Sequence, residues 1–231
     1  MQAYLLDGIA VAWLFTVWVG YTLIANYLAK GNPCLASVLH LYRGDWMRSL
    51  LKRENRIADT AIIANLERNV SFFASTSILV LAGLLTLLST PASGMLLLSD
   101  LPFAELTSRQ LWEVKILVMI VIFVYAFFTF TWSLRVYNFA SVLMGSAPLH
   151  DEELAEAERG AYAQRLANVL SIAAAHFNYG LRAYYFGLAT LSWVVSPWLL
   201  IGATALVVFI LYYREFHSRV LKEMMLSEPG Q

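Results

Sequence analysis

Charge is scarce in this chain. Only 14% of its 231 residues are charged and 59% are hydrophobic, where soluble domains carry about a quarter charged residues, so an ordinary water-soluble fold is excluded. Cysteine occurs once, at Cys34. A lone thiol excludes an intramolecular disulfide framework and any thiolate metal cluster, and beside Gly31 and Pro33 it reads as a small apolar loop residue. Histidine occurs four times, and His176 has no second histidine three or four residues on, so no metal set is assigned. There is no glycine-rich phosphate loop and no nucleophile elbow. No span carries an acid deep in its apolar run. A formal net charge of zero gives no support to nucleic-acid binding. Accordingly no residue is assigned a catalytic, cofactor-binding or metal role, no cofactor is expected, and the chain is expected not to be an enzyme.

What the sequence has in quantity is apolar length. Runs near the 20 residues needed to cross about 30 Å of hydrocarbon predict an all-α polytopic membrane protein with spans at about 5–28, 70–89, 111–139, 178–196 and 198–216. The first run holds Asp7 near its start, lacks a preceding Lys or Arg and stays apolar to Leu28, so it is expected to be a retained span rather than a signal peptide. The last apolar stretch, from Arg182 to Tyr213, is read as a hairpin turning at Ser196 and Pro197, with one long kinked helix, and hence four spans, as the alternative. Trp193 and Trp198 flanking that turn are expected in one interfacial belt, and Tyr184, Tyr185, Tyr212 and Tyr213 in the other.

Between the first two runs lies an insert, 35–68, too polar to span. From Met47 its apolar residues at Leu50, Leu51, Ile57, Ala58, Ala61, Ile62 and Leu66 keep helical spacing, which predicts one amphipathic helix with Lys52, Arg53, Glu54, Arg56 and Asp59 opposite. After Pro148, the acids Asp151 to Glu153 predict the start of a separate helix over 151–168. A turn is expected around Thr90, Pro91 and Gly94.

The hairpin places fourteen of the sixteen Lys and Arg residues on one side, leaving only Arg109 and Lys115 opposite. By the positive-inside rule the N-terminus is then outside and the C-terminus cytoplasmic, in a bacterial inner membrane. Under that topology arginines sit at the cytoplasmic ends of three spans, each near an asparagine: Arg68 with Asn69, Arg135 with Asn138, and Arg182 with Asn178, the last two residues following His176. Two uses fit. The seven residues can hold an anion or a lipid headgroup, arginine's planar fork suiting phosphate or carboxylate, or the arginines can simply snorkel and hold helix ends. Glu67, Asp45 and Asp59 are available as ion-pair partners, and Asp7 is placed to meet Glu113 and Lys115. Tyr125, Phe128 and Trp132 share one helix face, expected to pack on a neighbouring helix or a second subunit.

The stretches "RNVSFFASTSILVLAGLL", "FFTFTWSLRVYNFASVLMGSAP" and "AAHFNYGLRAYYFGLATLSWVVSP", in this order, resemble the bacterial branch of the membrane family catalogued as domain of unknown function 599. The resemblance covers nearly the whole chain and implies a small multi-spanning membrane protein. It carries over no catalytic or ligand residue, although the rim arginines and asparagines and His176 fall inside its motifs. The functional expectation is a homo-oligomeric channel or transporter-like protein with an arginine-lined cytoplasmic vestibule for anions. The alternative is a non-transporting scaffold that binds lipids or partner proteins, with membrane lipids, anionic ones included, as its partners.

Overall fold

A computed structural model describes residues 2–91, 108–152 and 155–226. The described chain is all-α. Helix α1 spans Gln2–Leu28, α2 Leu35–Leu51, α3 Ile57–Ser89, α4 Arg109–Gly145, α5 Glu156–Leu191, α6 Pro197–Phe216 and α7 Arg219–Leu226, with a 3-10 turn at Ser192–Val194 between α5 and α6. Part of the turn expected near Thr90, including Gly94, lies outside the described residues.

The expected hairpin is present, for local reasons. Ser196 is extended, with φ −157° and ψ 143°, and Pro197 occupies the first turn of α6, where its missing N–H costs nothing. The two helices then run antiparallel: Arg214 Nη1 donates to the Tyr185 hydroxyl at 2.9 Å, 29 residues away. Four helices are long and apolar enough to cross a membrane: α1 from Leu5, α3, α4 and the helix beginning at Pro197. The expected span 178–196 is instead the C-terminal half of α5, a single 36-residue helix that also absorbs the acidic helix expected over 151–168. Its lower half is the polar part, with Glu156, Glu158, Gln164, Arg165 and Asn168 exposed. Ala163, Ala167, Ala173, Gly180, Ala183, Gly187 and Ala189 are all buried, and such small residues let neighbouring helices approach closely.

The upper end of the bundle is fixed by side chains from α1, α4 and the 3-10 turn, all of them buried. The Trp193 indole N–H donates to Asp7 Oδ1 at 2.6 Å, Lys115 Nζ donates to the Trp193 carbonyl at 2.8 Å, and Lys115 Nζ lies 3.9 Å from Asp7 Oδ1. Asp7 thus meets Lys115 as expected, while Glu113 pairs with Arg109 on its own helix. Trp193 is only 1% exposed, so of the two tryptophans flanking the turn only Trp198 has a belt position; the indole of Trp193 is drawn inward by a carboxylate. Tyr184 is likewise no interfacial residue. It stands among Phe73, Phe123 and Phe130, with its hydroxyl at Ser77 Oγ, 3.0 Å.

The insert departs from the sequence expectation. The apolar positions from Met47 to Leu66 do not share one helix: α2 ends at Leu51 and α3 begins at Ile57, then runs on without interruption through the second span. The intervening turn is held by tertiary contacts. Asp59, fully buried, accepts from the Trp46 indole at 2.6 Å and from Arg53. Arg56 reaches the Ala147 carbonyl, and Arg159 reaches the carbonyls of Leu51, Leu149 and Glu152. The lower halves of α3, α4 and α5, together with α2, therefore form a second packed region below the span level.

Candidate functional site

The sequence-selected residues lie where those two regions meet. Arg68 and Asn69 are exposed on α3, and Arg135 and Asn138 are exposed on α4. Arg68 lines a shallow groove with Glu67, Ser71, Ser75 and Leu134 and makes no hydrogen bond or ion pair with a described residue. Arg135 lies 5.8 Å from the Phe139 ring centroid. On α5, the Arg182 guanidinium stacks near Tyr21 and Tyr179, at 5.2 and 5.5 Å, and its Nη1 is buried with no hydrogen-bond partner among the described residues. Those rings attract the cation without satisfying its N–H groups. His176 meets the rings of Trp132 and Tyr179 edge-on.

The three arginines do not share one lining. Arg182 packs toward α1, Arg68 faces its groove beside α4, and Arg135 points outward with Phe139. Each acid expected as a partner is engaged elsewhere. Asp45 pairs with Arg48 at 2.6 Å, Asp59 with Arg53, and Glu67 accepts from the Ser141 hydroxyl at 2.9 Å. Tyr125, Phe128 and Trp132 lie outward as a group, 46 to 65% exposed, although Tyr125 touches Trp18.

Sequence reasoning missed a cleft just below the rim. It has a volume of about 490 Å³ and opens between the end of α1, the start of α2, the middle of α5 and the end of α6. Its polar lining is Ser37, His40, Arg43, Ser171, Asn178 and Glu215, so only Asn178 of the residues selected from sequence reaches it. Cys34, at the end of the loop as expected, also caps α2: its Sγ accepts from the Ser37 N–H, and its own N–H donates to Ser37 Oγ at 3.0 Å. Glu215 Oε1 accepts from the Ala36 N–H at 3.2 Å, a carboxylate at a helix N-terminus. One helical face carries both His40 and Arg43, and both reach Ser171 Oγ, at 2.8 Å from His40 Nδ1 and 3.4 Å from Arg43 Nη1. Among the described residues no carboxylate pairs with Arg43, and burial pushes its pKa down. The one signal in the sequence was the His-x-x-Arg spacing on a helix, which means nothing without the facing α5.

Among the described residues no group of three or more His, Cys, Asp or Glu side chains could hold a metal ion. No curated protein and no solved structure matches the chain. The family model described as protein of unknown function, DUF599, matches residues 9–220, nearly all of the bundle just described, and the chain belongs to that family.

Proposed function

We propose that this multi-pass membrane protein is a non-transporting scaffold that holds anionic lipid headgroups around one rim of its bundle. The observation that carries the reading is that Arg68 and Arg135 stand exposed on the outside of membrane-length helices with no acid among the described residues paired to them. A lipid phosphate at that level meets a cation already at the hydrocarbon edge, and each such contact contributes about 1 kcal/mol. Arg182, whose Nη1 has no hydrogen-bond partner among the described residues, is a third point of attachment. The rim faces the cytoplasm in this reading, because it lies on the side that carries nearly all the basic residues.

The vestibule of a channel is the weaker reading. It requires the arginines to line one space, and within a single chain they occupy separate faces, so a common path would have to form between copies. Native mass spectrometry of the full chain released from phosphatidylglycerol-containing membranes tests the preferred reading. Bound phosphatidylglycerol is expected to fall about 30-fold in the Arg68→Ala, Arg135→Ala double variant, two contacts at about 1 kcal/mol each. Retention equal to the parent chain, with the fold intact, rules it out.

A further inference from the structure

The cleft below the rim has two electrically distinct ends. On α2, Arg43 lies seven residues beyond Ala36, whose N–H is held by Glu215. On α5, which runs the opposite way alongside, Ser171 lies seven residues before Asn178. Ser171 joins His40 and Arg43, and Asn178 and Glu215 line the other end of the same cleft. Two helices thus present matching pairs of polar positions, whose backbone registers, at about 1.5 Å per residue, lie about 10 Å apart along the helix axis. One pole is a cation without a carboxylate beside two further hydrogen-bonding groups. The other is a carboxylate beside an amide.

A guanidinium drawn into a cleft with no carboxylate paired to it among the described residues carries a desolvation cost that its interaction with Tyr137 only partly offsets, and its one hydrogen bond, at 3.4 Å, is long for a charge-assisted contact. An oxyanion at this pole would accept from Arg43 and from one of the pair His40 and Ser171: the second nitrogen of His40 where the Ser171 hydroxyl donates to Nδ1, or the Ser171 hydroxyl where Nδ1 donates to it. A simple anion, however, would leave Glu215 facing it as a like charge. The lining is better matched by a ligand that carries both signs. With a charge-assisted contact of about 2.8 Å at each end, a register of this length suits a ligand whose charged centres lie about 5 Å apart. That is the separation of a phosphate from an ammonium across a two-carbon bridge, and it exceeds what an α-amino acid offers.

We infer that this cleft is a binding site for a phosphoethanolamine group, with the phosphate at Arg43, His40 and Ser171 and the ammonium at Glu215 and Asn178. The group arrives either as the headgroup of a membrane phospholipid, since the cleft lies one helical turn below Arg182 at the rim, or as the free compound. The site is separate from the arginine rim and does not depend on it.

Calorimetric titration of the full chain in detergent with O-phosphoethanolamine, inorganic phosphate and ethanolamine tests the assignment, alongside native mass spectrometry from nanodiscs of phosphatidylethanolamine or phosphatidylglycerol. O-phosphoethanolamine, or phosphatidylethanolamine in the nanodisc arm, is expected to bind in preference to the others; which of the two does so identifies the source. Arg43→Gln is expected to weaken that binding at least about tenfold, the loss of a hydrogen bond to a charged group. Glu215→Gln is expected to abolish the preference over inorganic phosphate while leaving phosphate binding within about threefold. Arg43→Lys and Ser171→Ala supply the same readout should Arg43→Gln fail to fold. Arg68→Ala with Arg135→Ala is expected to leave this binding unchanged, so the cleft and the rim fail separately. Absence of saturable binding in both arms, or a preference that survives Glu215→Gln, overturns the assignment.

Discussion

Gly180 shows how little room a single residue has in this bundle. A Cβ at that position would lie 2.5 Å from Phe130 Cε1, on the seam where Phe130 meets Phe73, Phe177 and Tyr184. Gly180→Ala is therefore expected to destabilise the fold by about 1–3 kcal/mol, the usual cost of overpacking, read as a lower midpoint of thermal unfolding in detergent; an unchanged midpoint would mean the seam is loose. The upper end offers a charge counterpart. Asp7→Asn leaves Lys115 buried beside a neutral amide, and removing one partner of a buried pair costs about 3–5 kcal/mol. Adding Lys115→Met is expected to recover much of that loss in the same assay. Single positions were legible in the sequence only where chemistry is local. The approach of Asp7 to Lys115 could be read because both stand near the start of apolar helices at the same end, and the rim arginines because they stand where apolar runs meet polar sequence. The cleft could not, since His40 and Arg43 acquire meaning only from Ser171, 131 residues from His40.

At the scale of elements, the sequence reported breaks that the chain makes for itself and missed those imposed by partners. The turn at Ser196 and Pro197 needs only an extended residue followed by an N-terminal proline, so it could be read directly. The break between α2 and α3 contains neither proline nor glycine, and the apolar spacing continues across it. It exists because Asp59 gathers Trp46 and Arg53 while Arg56 and Arg159 tie the turn to the α4–α5 connection. The unity of α5 was hidden differently. Its lower half is polar and its upper half apolar, a contrast that reflects what covers each half rather than a boundary between helices. Arg159→Ala tests the tie, since it removes three hydrogen bonds to carbonyls. A half-exposed arginine contributes modestly, about 1–2 kcal/mol in total. Backbone amides of residues 50–57 and 147–152 are expected to exchange faster in hydrogen–deuterium measurements, with the span-level amides of α4 unchanged. Uniform acceleration along the chain would show that the lower region is not a separate packing unit.

For the whole molecule, the fold class, the multi-pass character and the hairpin follow from apolar length, turn chemistry and charge asymmetry, all of which are sequence properties. The packing of the spans is less legible because lipid and protein reward similar side chains, so an outward aromatic face such as Tyr125, Phe128 and Trp132 reads the same whether a lipid or a helix lies against it. Orientation is where the charge argument makes its sharpest claim. Lys52 lies in the α2–α3 turn at the lower end, and Ser108 caps α4 at the end that carries Asp7 and Lys115. Both are exposed, and Cys34 is buried. Replacing Cys34 by Ser therefore gives a thiol-free chain on which single cysteines can report sidedness. With the lower end cytoplasmic, Ser108→Cys is expected to react with a membrane-impermeant maleimide on intact cells whose outer envelope has been opened, and Lys52→Cys only after the inner membrane is permeabilised. The reverse pattern would place the arginine rim on the outside, against the positive-inside rule, and would remove the cytoplasmic leaflet's anionic lipids as the rim's ligands. Labelling of both sites without permeabilisation would contradict α3 as the single crossing among the described residues between positions 52 and 108.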